Sequence, residues 1–535
     1  MLPNDGEGAA ELITGPPRAD RTADEVDLRA GHATLGGGVE AGTAATFPGS
    51  WARDSRRRHL PVALLVVAYV VWFSYLSLKL YNGYGDPPFD LAIFDQGLWL
   101  ITHFHTPFVT VMGRNLFGDH TSFILLLIAP LYRLFPEPQG ILIIQTVALG
   151  AAAVPIYLVA TKLVKSTTAA TLVVAAYLLN PALQQGNLEQ FHPEALQVLI
   201  ISVAIYAAIE SRLVLACVMV ALALLVKEDA AVLVVPLGLW VAWRRNRKVG
   251  LGIVGAGVLW AYVANEFIIP GFLGSNTFYT GRIPFGGLGG LLRTTFERPA
   301  QFFSYIWSGG RPFYVWQMSA SFGWAFLLAP EVAAIAFLVL LENVMSNDPY
   351  MHQILYHYSM PLVPVLAMGT VFALGAVKNV QRRTLVAVFV AASAFCSCAL
   401  WGLAPFSRNA IEPGWSPNSA LGRAVTYVEQ ALPANAVVSA WYPYVAHVDH
   451  RTQVYVWPTP FSAANWGLGT DTGARLPVAS QVQYLMLPYP LDSSENPDVF
   501  GSISVEYRVV RSRDGVALYE KLPTLGSSTP GGSSS

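Results

Sequence analysis

Cysteine and charge are both scarce in this sequence. Its 535 residues include three cysteines, and only 13% of them are Asp, Glu, Lys or Arg. Cys217, Cys396 and Cys398 all lie inside apolar segments, so the sequence offers neither a disulfide framework nor a zinc-binding cysteine motif. There is also no Walker lysine loop, no HExxH and no GxSxG. The formal net charge of −1 does not indicate a nucleic-acid partner, and none is predicted.

Long apolar runs are what the sequence has in excess. It is 53% hydrophobic, with a mean hydropathy of +0.44, which over this length is typical of a polytopic membrane protein. We predict a mainly α fold, a transmembrane helical bundle of about eleven spans, with a small α/β domain at the C-terminus. The predicted spans are 60–80, 140–162, 167–183, 194–211, 213–227, 230–244, 249–269, 312–328, 331–346, 358–377 and 385–403.

Basic residues predict the orientation of these spans. Short cytoplasmic connections are enriched in Lys and Arg, and eleven spans that start inside place every basic cluster in the cytoplasm. The protein is therefore predicted in the plasma membrane, with its N-terminus in the cytoplasm and its C-terminal domain outside. The apolar segment 121–135 is too short for a span, and we predict a helix in the outer leaflet instead.

The predicted domains follow from composition. Residues 1–58 are rich in Gly, Ala and charged residues and predict a disordered cytoplasmic tail. Residues 59–403 form the transmembrane domain, whose first outer loop covers 81–139. Residues 404–523 predict the extracytoplasmic α/β domain, because a helical pattern at 420–432 is followed by short strand patterns up to residue 521. Residues 524–535 are a Ser/Gly tail.

Ionisable residues collect in the predicted outer connections, where their cost near hydrocarbon favours a functional role. Each motif also has a structural explanation: N-capping for Asp90 and Asp119, ordinary helix-start chemistry at FHPE, charges that snorkel to water for KED, and interfacial aromatics around His357. The functional alternatives are a general base at Asp90, an anion site around Asp119 and His120, and substrate or metal contacts elsewhere. The candidates are Asp90 and Asp95 as catalytic residues, and Arg114, Asp119, His120, His192, Glu194, Lys227, Glu228, Asp229 and His357 as substrate-binding residues.

Taken in order, the motifs FDLAIFDQ, FGDH, FHPE, KED and YHYS resemble a prokaryotic membrane protein family, domain of unknown function 2079. The resemblance covers about residues 71–403 and extends more loosely to VVSAWYPYVAHVDHR. That family in turn resembles the GT-C superfamily of glycosyltransferases, which use sugars carried on polyprenyl phosphate. The superfamily's first acidic motif matches Asp90, with Asp95 as its neighbour, and its second matches Asp119 and His120. Here an Asp-x-x-x-x-Asp spacing replaces the usual adjacent acid pair, and GDHTS replaces HPP or KPP.

The resemblance implies a membrane glycosyltransferase that moves a sugar from a polyprenyl phosphate to a glycan, lipid or protein acceptor of the cell envelope. Asp90 would be the base, and Asp95 would orient the acceptor or a divalent cation, the one cofactor considered. A transporter or flippase of lipid-linked intermediates is the first alternative, although the acids gather at span ends and no related halves are evident. A non-catalytic envelope scaffold is the second, and it would leave the clustered histidines and acids unexplained.

Overall fold

A computed structural model of the protein describes residues 49–85, 89–135, 137–274, 280–409, 416–464, 466–467 and 472–523, with side chains from residue 59 onward. The predicted tails at 1–48 and 524–535 lie outside the described residues, as do Pro87 and Pro88. The first helix begins at Gly49, inside the last ten residues of the predicted N-terminal tail. Most described residues are helical, and a small sheet lies near the C-terminus, which confirms the predicted fold class.

The helices of the first half of the chain are separated mostly by short turns. Several begin at a side-chain cap: the Ser166 hydroxyl and the Asn180 amide oxygen accept backbone N–H groups of the helices that follow them. The helices are α1 (Gly49–Asn82), α2 (Phe89–Thr102), α3 (Leu116–Asp119), α4 (Ile124–Tyr132), α5 (Pro138–Ala151), α6 (Ala153–Val164), α7 (Thr167–Leu178), α8 (Pro181–Leu188), α9 (Glu194–Ile209), α10 (Leu213–Leu224), α11 (Ala231–Arg244), α12 (Arg247–Val263) and α13 (Ile269–Leu273).

The second half is less regular before its last apolar helices. Short 3₁₀ turns interrupt the segment between α16 and α18, and α20 is capped by the Asn379 side chain. The helices are α14 (Leu288–Glu297), α15 (Pro299–Ile306), α16 (Arg311–Ala320), α17 (Pro330–Ala333), α18 (Phe337–Met345), α19 (Leu362–Ala376), α20 (Val380–Trp401), α21 (Ala420–Glu429) and α22 (Pro497–Ile503).

Some helical stretches have the length and composition of membrane spans. Within the described residues these are His59–Asn82, Pro138–Val164, Arg247–Leu273, His357–Ala376 and Val380–Trp401. About 20 apolar residues are needed to cross the hydrocarbon core. Others among the eleven predicted spans correspond to shorter apolar helices, namely α7, α9 and α10. The eleven-span arrangement therefore stays a prediction.

Helix α4 lies in the segment for which we predicted an outer-leaflet helix. Its nine residues are about 14 Å long, half the thickness of the hydrocarbon core. Leu125 and Tyr132 are buried against the protein, whereas Leu127 and Leu131 are exposed. An apolar helix with one exposed apolar face fits the predicted position against lipid.

The C-terminal region forms a five-stranded sheet of order β4-β3-β5-β7-β6. Strand β3 is parallel to β4 and β5, whereas β7 is antiparallel to β5 and β6. A short antiparallel pair, β1 and β2, lies in the first loop. The strands are β1 (Phe108–Val109), β2 (Arg114–Asn115), β3 (Val438–Ala440), β4 (Val454–Val456), β5 (Tyr484–Pro488), β6 (Tyr507–Arg513) and β7 (Val516–Lys521).

The sheet and the first loop share one hydrophobic core. Buried Leu98 of α2 belongs to the same apolar cluster as Val438 of β3 and Leu518 of β7. A separate larger cluster holds the membrane helices together. This packing places the C-terminal sheet against α2, the helix whose first turn contains the predicted catalytic residue Asp90.

Candidate functional site

A polar cavity of about 140 Å³ lies where five segments meet: the first loop, the connection before α9, the connection between α10 and α11, the connection between α13 and α14, and the turn before α19. Eight of the eleven predicted site residues line it: Asp90, Arg114, Asp119, His120, His192, Glu194, Lys227 and His357. The other lining residues are Phe89, Ile93, Phe94, Ser122, Pro193, Arg282 and Tyr358. Motifs far apart in the sequence thus converge on one hollow, which we call the polar cavity.

Asp90 lies in the first turn of α2, with its carboxylate turned towards His192. The distance from Asp90 Oδ2 to His192 Nε2 is 3.4 Å, and the Asp90 side chain keeps 43% of its surface exposed. The N–H of Leu91 donates to Gln190 Oε1 at 2.8 Å. Gln190 therefore satisfies one of the free N–H groups at the start of α2, and the Asp90 carboxylate lines the polar cavity.

The FGDH motif adopts a different local structure from the predicted one. Asp119 ends the short helix α3, whose first turn is capped by the Asn115 side chain, and α4 begins only at Ile124. The capping alternative for Asp119, at the start of the half-buried helix, is therefore wrong. Arg114 forms an ion pair with Asp119 at 3.0 Å, so this arginine and the motif remain neighbours at the cavity wall.

His120 is oriented by Glu228, which lies just behind the cavity lining. The Nδ1 atom of His120 is 2.7 Å from Glu228 Oε1, and the Thr121 N–H donates to Glu228 Oε2. Burial alone would raise the pKa of Glu228, but the nearby His120 and Lys227 outweigh it and lower the pKa to about 2. An ionised Glu228 would hold His120 in one orientation.

Lys227 and Glu228 of the KED motif are buried, so these two charges do not reach out to water, whereas the Asp229 side chain is 29% exposed. The Lys227 side chain is 3% exposed and its Nζ lies 2.8 Å from Glu194 Oε1. The same ammonium is 3.4 Å from Asp229, which lines a small adjoining pocket together with Glu194 and Lys227. The two carboxylates compensate the burial of the ammonium group, and Lys227 lines the polar cavity.

The two histidines of the cavity stack on each other and share acidic partners. The rings of His192 and His357 have centroids 3.7 Å apart, and His357 Nδ1 is 3.2 Å from Glu189. Burial raises the pKa of Glu189 to about 8. Burial alone would lower the pKa of His192. The negative charges of Glu189, Asp90 and Glu194 outweigh burial and raise the pKa of His192 to about 9.

Glu189, His192 and His357 have the donor set for a divalent cation. One donor atom from each lies within 4.8 Å of the others. His192 Nδ1 is buried and has no hydrogen-bond partner among the described residues, which is unusual for a polar atom in a protein interior. Two imidazoles and a carboxylate suit zinc and similar transition metals, so these residues fit the cation considered from the sequence.

Asp95 is placed elsewhere. It is completely buried, and it accepts hydrogen bonds from Tyr132 (2.7 Å) and His450 (2.8 Å) rather than lining the polar cavity. The geometry gives no support for a shared active site with Asp90. Asp90 and Asp95 are five residues apart on α2, about 140° round the helix, so the two side chains leave it in different directions.

A larger apolar cavity, of about 420 Å³, lies beside the polar one. Arg282 lines both, and Glu342 lines both the apolar cavity and the pocket next to Lys227. We call it the apolar cavity. Its other lining residues are Val232, Ile283, Pro284, Leu288, Leu291, Leu292, Thr295, Phe302, Leu338, Leu341, Met345, Ser346 and Met351.

Sequence reasoning missed several of these residues. Glu189 lies in the same connection as His192, but no motif separated it from neighbouring polar residues. Arg282 had a signal, since it is a basic residue on the predicted outer side, where such residues oppose the usual bias. His450 lies in VVSAWYPYVAHVDHR, to which the family resemblance extends only loosely, and Tyr132 had no signal, because an isolated tyrosine acquires meaning only from the side chains around it.

Comparison with known proteins gave the following matches. A family model described as "Predicted membrane protein (DUF2079)" matches residues 87–518. A comparison with curated proteins gave no match. A crystal structure of ArnT from Cupriavidus metallidurans bound to undecaprenyl phosphate is similar to this chain with a TM-score of 0.47 and 12% identity, covering 86% of this chain and 98% of that one. The apo structure of the same ArnT gives a TM-score of 0.44 and 13% identity, covering 85% and 98%. Similarity at this level establishes neither a common reaction nor a common ligand.

Proposed function

The chain belongs to the DUF2079 family of predicted membrane proteins, and from this membership and the site geometry we propose that it is a GT-C-type membrane glycosyltransferase. It would take a sugar from a polyprenyl phosphate and transfer it to a hydroxyl of an envelope acceptor. We further propose that this occurs on the outer face of the plasma membrane, with the N-terminus in the cytoplasm.

The observation that carries the proposal is the contact between a charged cavity and an apolar one. The polar cavity presents Arg114, Lys227 and Arg282 beside carboxylates, and Arg282 also borders the apolar cavity. A polyprenyl phosphate has the same division, with a charged head group and a long apolar chain. Arg282 would meet the phosphate at the junction, while the first isoprene units would lie among leucine and methionine side chains.

The chemistry assigns complementary roles to the two sides of the polar cavity. The acceptor hydroxyl oxygen would attack the anomeric carbon of the sugar while its proton passes to Asp90. The bond between that carbon and the phosphate oxygen would break, and its electron pair would leave on the phosphate. Asp90 is the candidate base because its carboxylate is accessible and is oriented by His192.

The cations would stabilise the leaving phosphate. Lys227 is held in a dry environment by Glu194 and Asp229, where a charge acts more strongly on a developing anion than it does in water. His120, fixed by Glu228, and Arg114 would add hydrogen-bond donors. If a divalent cation binds to Glu189, His192 and His357, it would supply further positive charge near the sugar phosphate.

The membrane orientation is supported by the way the motifs meet. Each motif-bearing connection is predicted on the outer side, and the structure brings all of these connections to one cavity. The C-terminal sheet packs on α2 of the same first loop. The site and the sheet would thus lie on one side of the membrane, as the distribution of basic residues predicts.

The test is sugar transfer by the purified protein in lipid nanodiscs, supplied with radiolabelled polyprenyl-phospho-sugars and envelope extracts as acceptor. Replacement of a general base should slow transfer by about 100-fold or more, so we expect this loss in Asp90→Asn. The matched control is Asp514→Asn, which removes an exposed turn carboxylate in the C-terminal sheet and should leave the rate unchanged. Equal rates in wild type and Asp90→Asn would remove Asp90 from the mechanism.

A further inference from the structure

A second cluster of metal-ligating side chains lies outside both cavities. Asp95 of α2 faces Asp449 and His450, which belong to the connection between β3 and β4 in the C-terminal sheet region. One donor atom from each of the three residues lies within 4.8 Å of the other two. None of them lines the polar or the apolar cavity, so the proposed sugar transfer leaves this cluster without a role.

The two carboxylates of this cluster are almost completely buried, which is unusual for ionisable side chains. Asp95 is 0% exposed and Asp449 is 1% exposed. Asp449 Oδ2 has no hydrogen-bond partner among the described residues, although nearly all buried polar atoms in proteins have one. Two buried carboxylates side by side carry a large desolvation and repulsion cost unless a proton or a cation lies between them.

The surrounding bonds hold the three donors in place. Asp95 Oδ1 accepts from the Tyr132 hydroxyl at 2.7 Å, so its Oδ2 is left to face His450 Nε2 at 2.8 Å. A ligand carboxylate whose second oxygen is hydrogen-bonded is the usual arrangement around protein-bound metals. On the other side, the Arg451 guanidinium donates to the Ala436 carbonyl at 2.9 Å and to the Val448 carbonyl, which fixes the backbone of the 449–451 turn.

From these observations we propose that Asp95, Asp449 and His450 bind one divalent transition-metal ion, and that the ion fastens the C-terminal sheet region to α2. Two carboxylate oxygens and one imidazole nitrogen form a ligand set that zinc accepts, whereas magnesium and calcium prefer oxygen alone. Metal–ligand bonds of about 2.0–2.2 Å place the donors of a tetrahedral site roughly 3.4 Å apart. Small side-chain rotations would bring the three donors to that spacing, with the His450 proton released on binding.

The ion would act at the place where two parts of the chain already meet. Gln96, next to Asp95, donates to the Arg451 carbonyl at 3.1 Å. The Thr110 hydroxyl donates to the Val454 carbonyl at 2.7 Å and accepts from the Val454 N–H. The Gln96 bond joins α2 to the β3–β4 connection, the Thr110 bonds join the β1–β2 turn to the start of β4, and the metal adds a strong link beside them. Because Asp90 lies in the first turn of the same helix, the metal would also help to fix the position of the proposed base.

The experiment is metal analysis of the purified full-length protein by inductively coupled plasma mass spectrometry, after incubation with zinc and removal of the excess. We expect Asp449→Asn and His450→Ala each to contain one equivalent less than wild type. The control His103→Ala removes a nearby exposed histidine whose ring stacks on Trp99, and it should retain the full content. The measurement compares the zinc content of each variant with that of wild type. A second ion at Glu189, His192 and His357 would be present in both and does not obscure the result.

Thermal unfolding gives a second measurement that does not depend on sugar transfer. A zinc chelator should lower the Tm of wild type and of His103→Ala, and added zinc should restore it. Asp449→Asn should have a lowered Tm, and both treatments should shift its Tm less than they shift that of wild type. If Asp449→Asn does not fold, His450→Ala provides the same comparison, because His450 is one-third exposed and outside the core.

Two results would overturn the proposal. The first is equal zinc content in wild type, Asp449→Asn and His450→Ala. The second is an Asp449→Asn protein as stable as wild type, with the same chelator-induced change of Tm in both, which would show that the two carboxylates share a proton instead. If Asp90→Asn loses sugar transfer while wild type, Asp449→Asn and His450→Ala contain equal amounts of zinc, only the metal proposal fails and the proposed function stands.

Discussion

The imidazole rings of His192 and His357 are stacked in the polar cavity, with centroids 3.7 Å apart and an angle of 16° between the planes. Two imidazolium rings at this distance would repel each other, so the pair favours a single positive charge. Glu189 and Glu194 lie beside His357, and Asp90 lies beside His192. The protonation of this group therefore links the stability of the cavity to pH.

Stability should fall as the pH rises from about 6.5 to 9. The folded-state pKa of Glu189 is about 8 against an ordinary 4.5, and that of His192 is about 9 against 6.5. In this range the folded protein holds protons that the unfolded chain has released. The stabilisation that these protons provide is complete below the unfolded-state pKa values, and it is lost as the pH rises through the folded-state pKa values. Each such proton changes the free energy of unfolding by about 1.4 kcal/mol per pH unit.

The measurement is the Tm in detergent across this pH range. Glu189→Gln should flatten the decrease, because it removes one titrating group and the main acidic partner of His192. A Tm that rises from pH 6.5 to 9 would contradict the assigned direction of both pKa shifts.

The ion pair between Lys227 and Glu194 should show strong coupling. Both side chains are less than a tenth exposed and their charged atoms are 2.8 Å apart, so removal of one partner leaves a buried charge. We expect Lys227→Met to lower the free energy of unfolding by about 3–5 kcal/mol. The double variant Lys227→Met/Glu194→Leu should lose less than the sum of the two single variants. The exposed pair Arg508–Glu520 is the control, with a loss below about 1 kcal/mol for Arg508→Met; simple additivity at Lys227 and Glu194 would contradict the expectation.

Arg282→Ala should weaken the binding of a polyprenyl phosphate to the protein in nanodiscs. Arg282 borders both cavities, and hydrogen bonds to a charged group are worth about 1.5–3 kcal/mol, or roughly 10- to 150-fold in Kd. Arg293→Ala is the matched control, because this arginine belongs to the same stretch of chain but is 73% exposed and paired with Glu297. If both variants bind the lipid phosphate as wild type does, the junction of the cavities is not the phosphate site.

Gly113→Ala should loosen the contact between the first loop and the C-terminal region. Gly113 has a φ of +69°, and a Cβ there would lie 2.4 Å from the Trp466 ring. The left-handed conformation and the clash together should cost about 2 kcal/mol or more of unfolding free energy. In Gly501→Ala the new Cβ meets no atom within 4 Å, so a helix former replaces glycine and stability should stay equal or rise. Equal Tm values for wild type and Gly113→Ala would show that Trp466 moves away without cost.

Local patterns in the sequence predicted the membrane class and much of the secondary structure, although not the helix boundary at FGDH. Apolar runs of about 20 residues correspond to helices such as α1 and α20, and the short segments bounded by Pro, Gly and Asp correspond to the strands of the C-terminal sheet. These features depend on residues within a few positions of one another, through hydrogen bonding along a helix or through residues that end a strand. The motif set likewise indicated the family that the comparison then showed.

The positions of the charged side chains were decided by tertiary packing. The sequence showed that Asp90 and Asp95 leave α2 in different directions, but it did not show that Asp95 meets His450, 355 residues away. It placed Lys227 at a membrane edge, and only packing against Glu194 revealed that it is buried. The junction at Arg282 likewise depends on helices that approach from separate parts of the chain. The sequence by itself determined which residues carry charge and which segments are apolar, whereas long-range packing determined which charges share a cavity, because burial and electrostatic partners are set by neighbours in space.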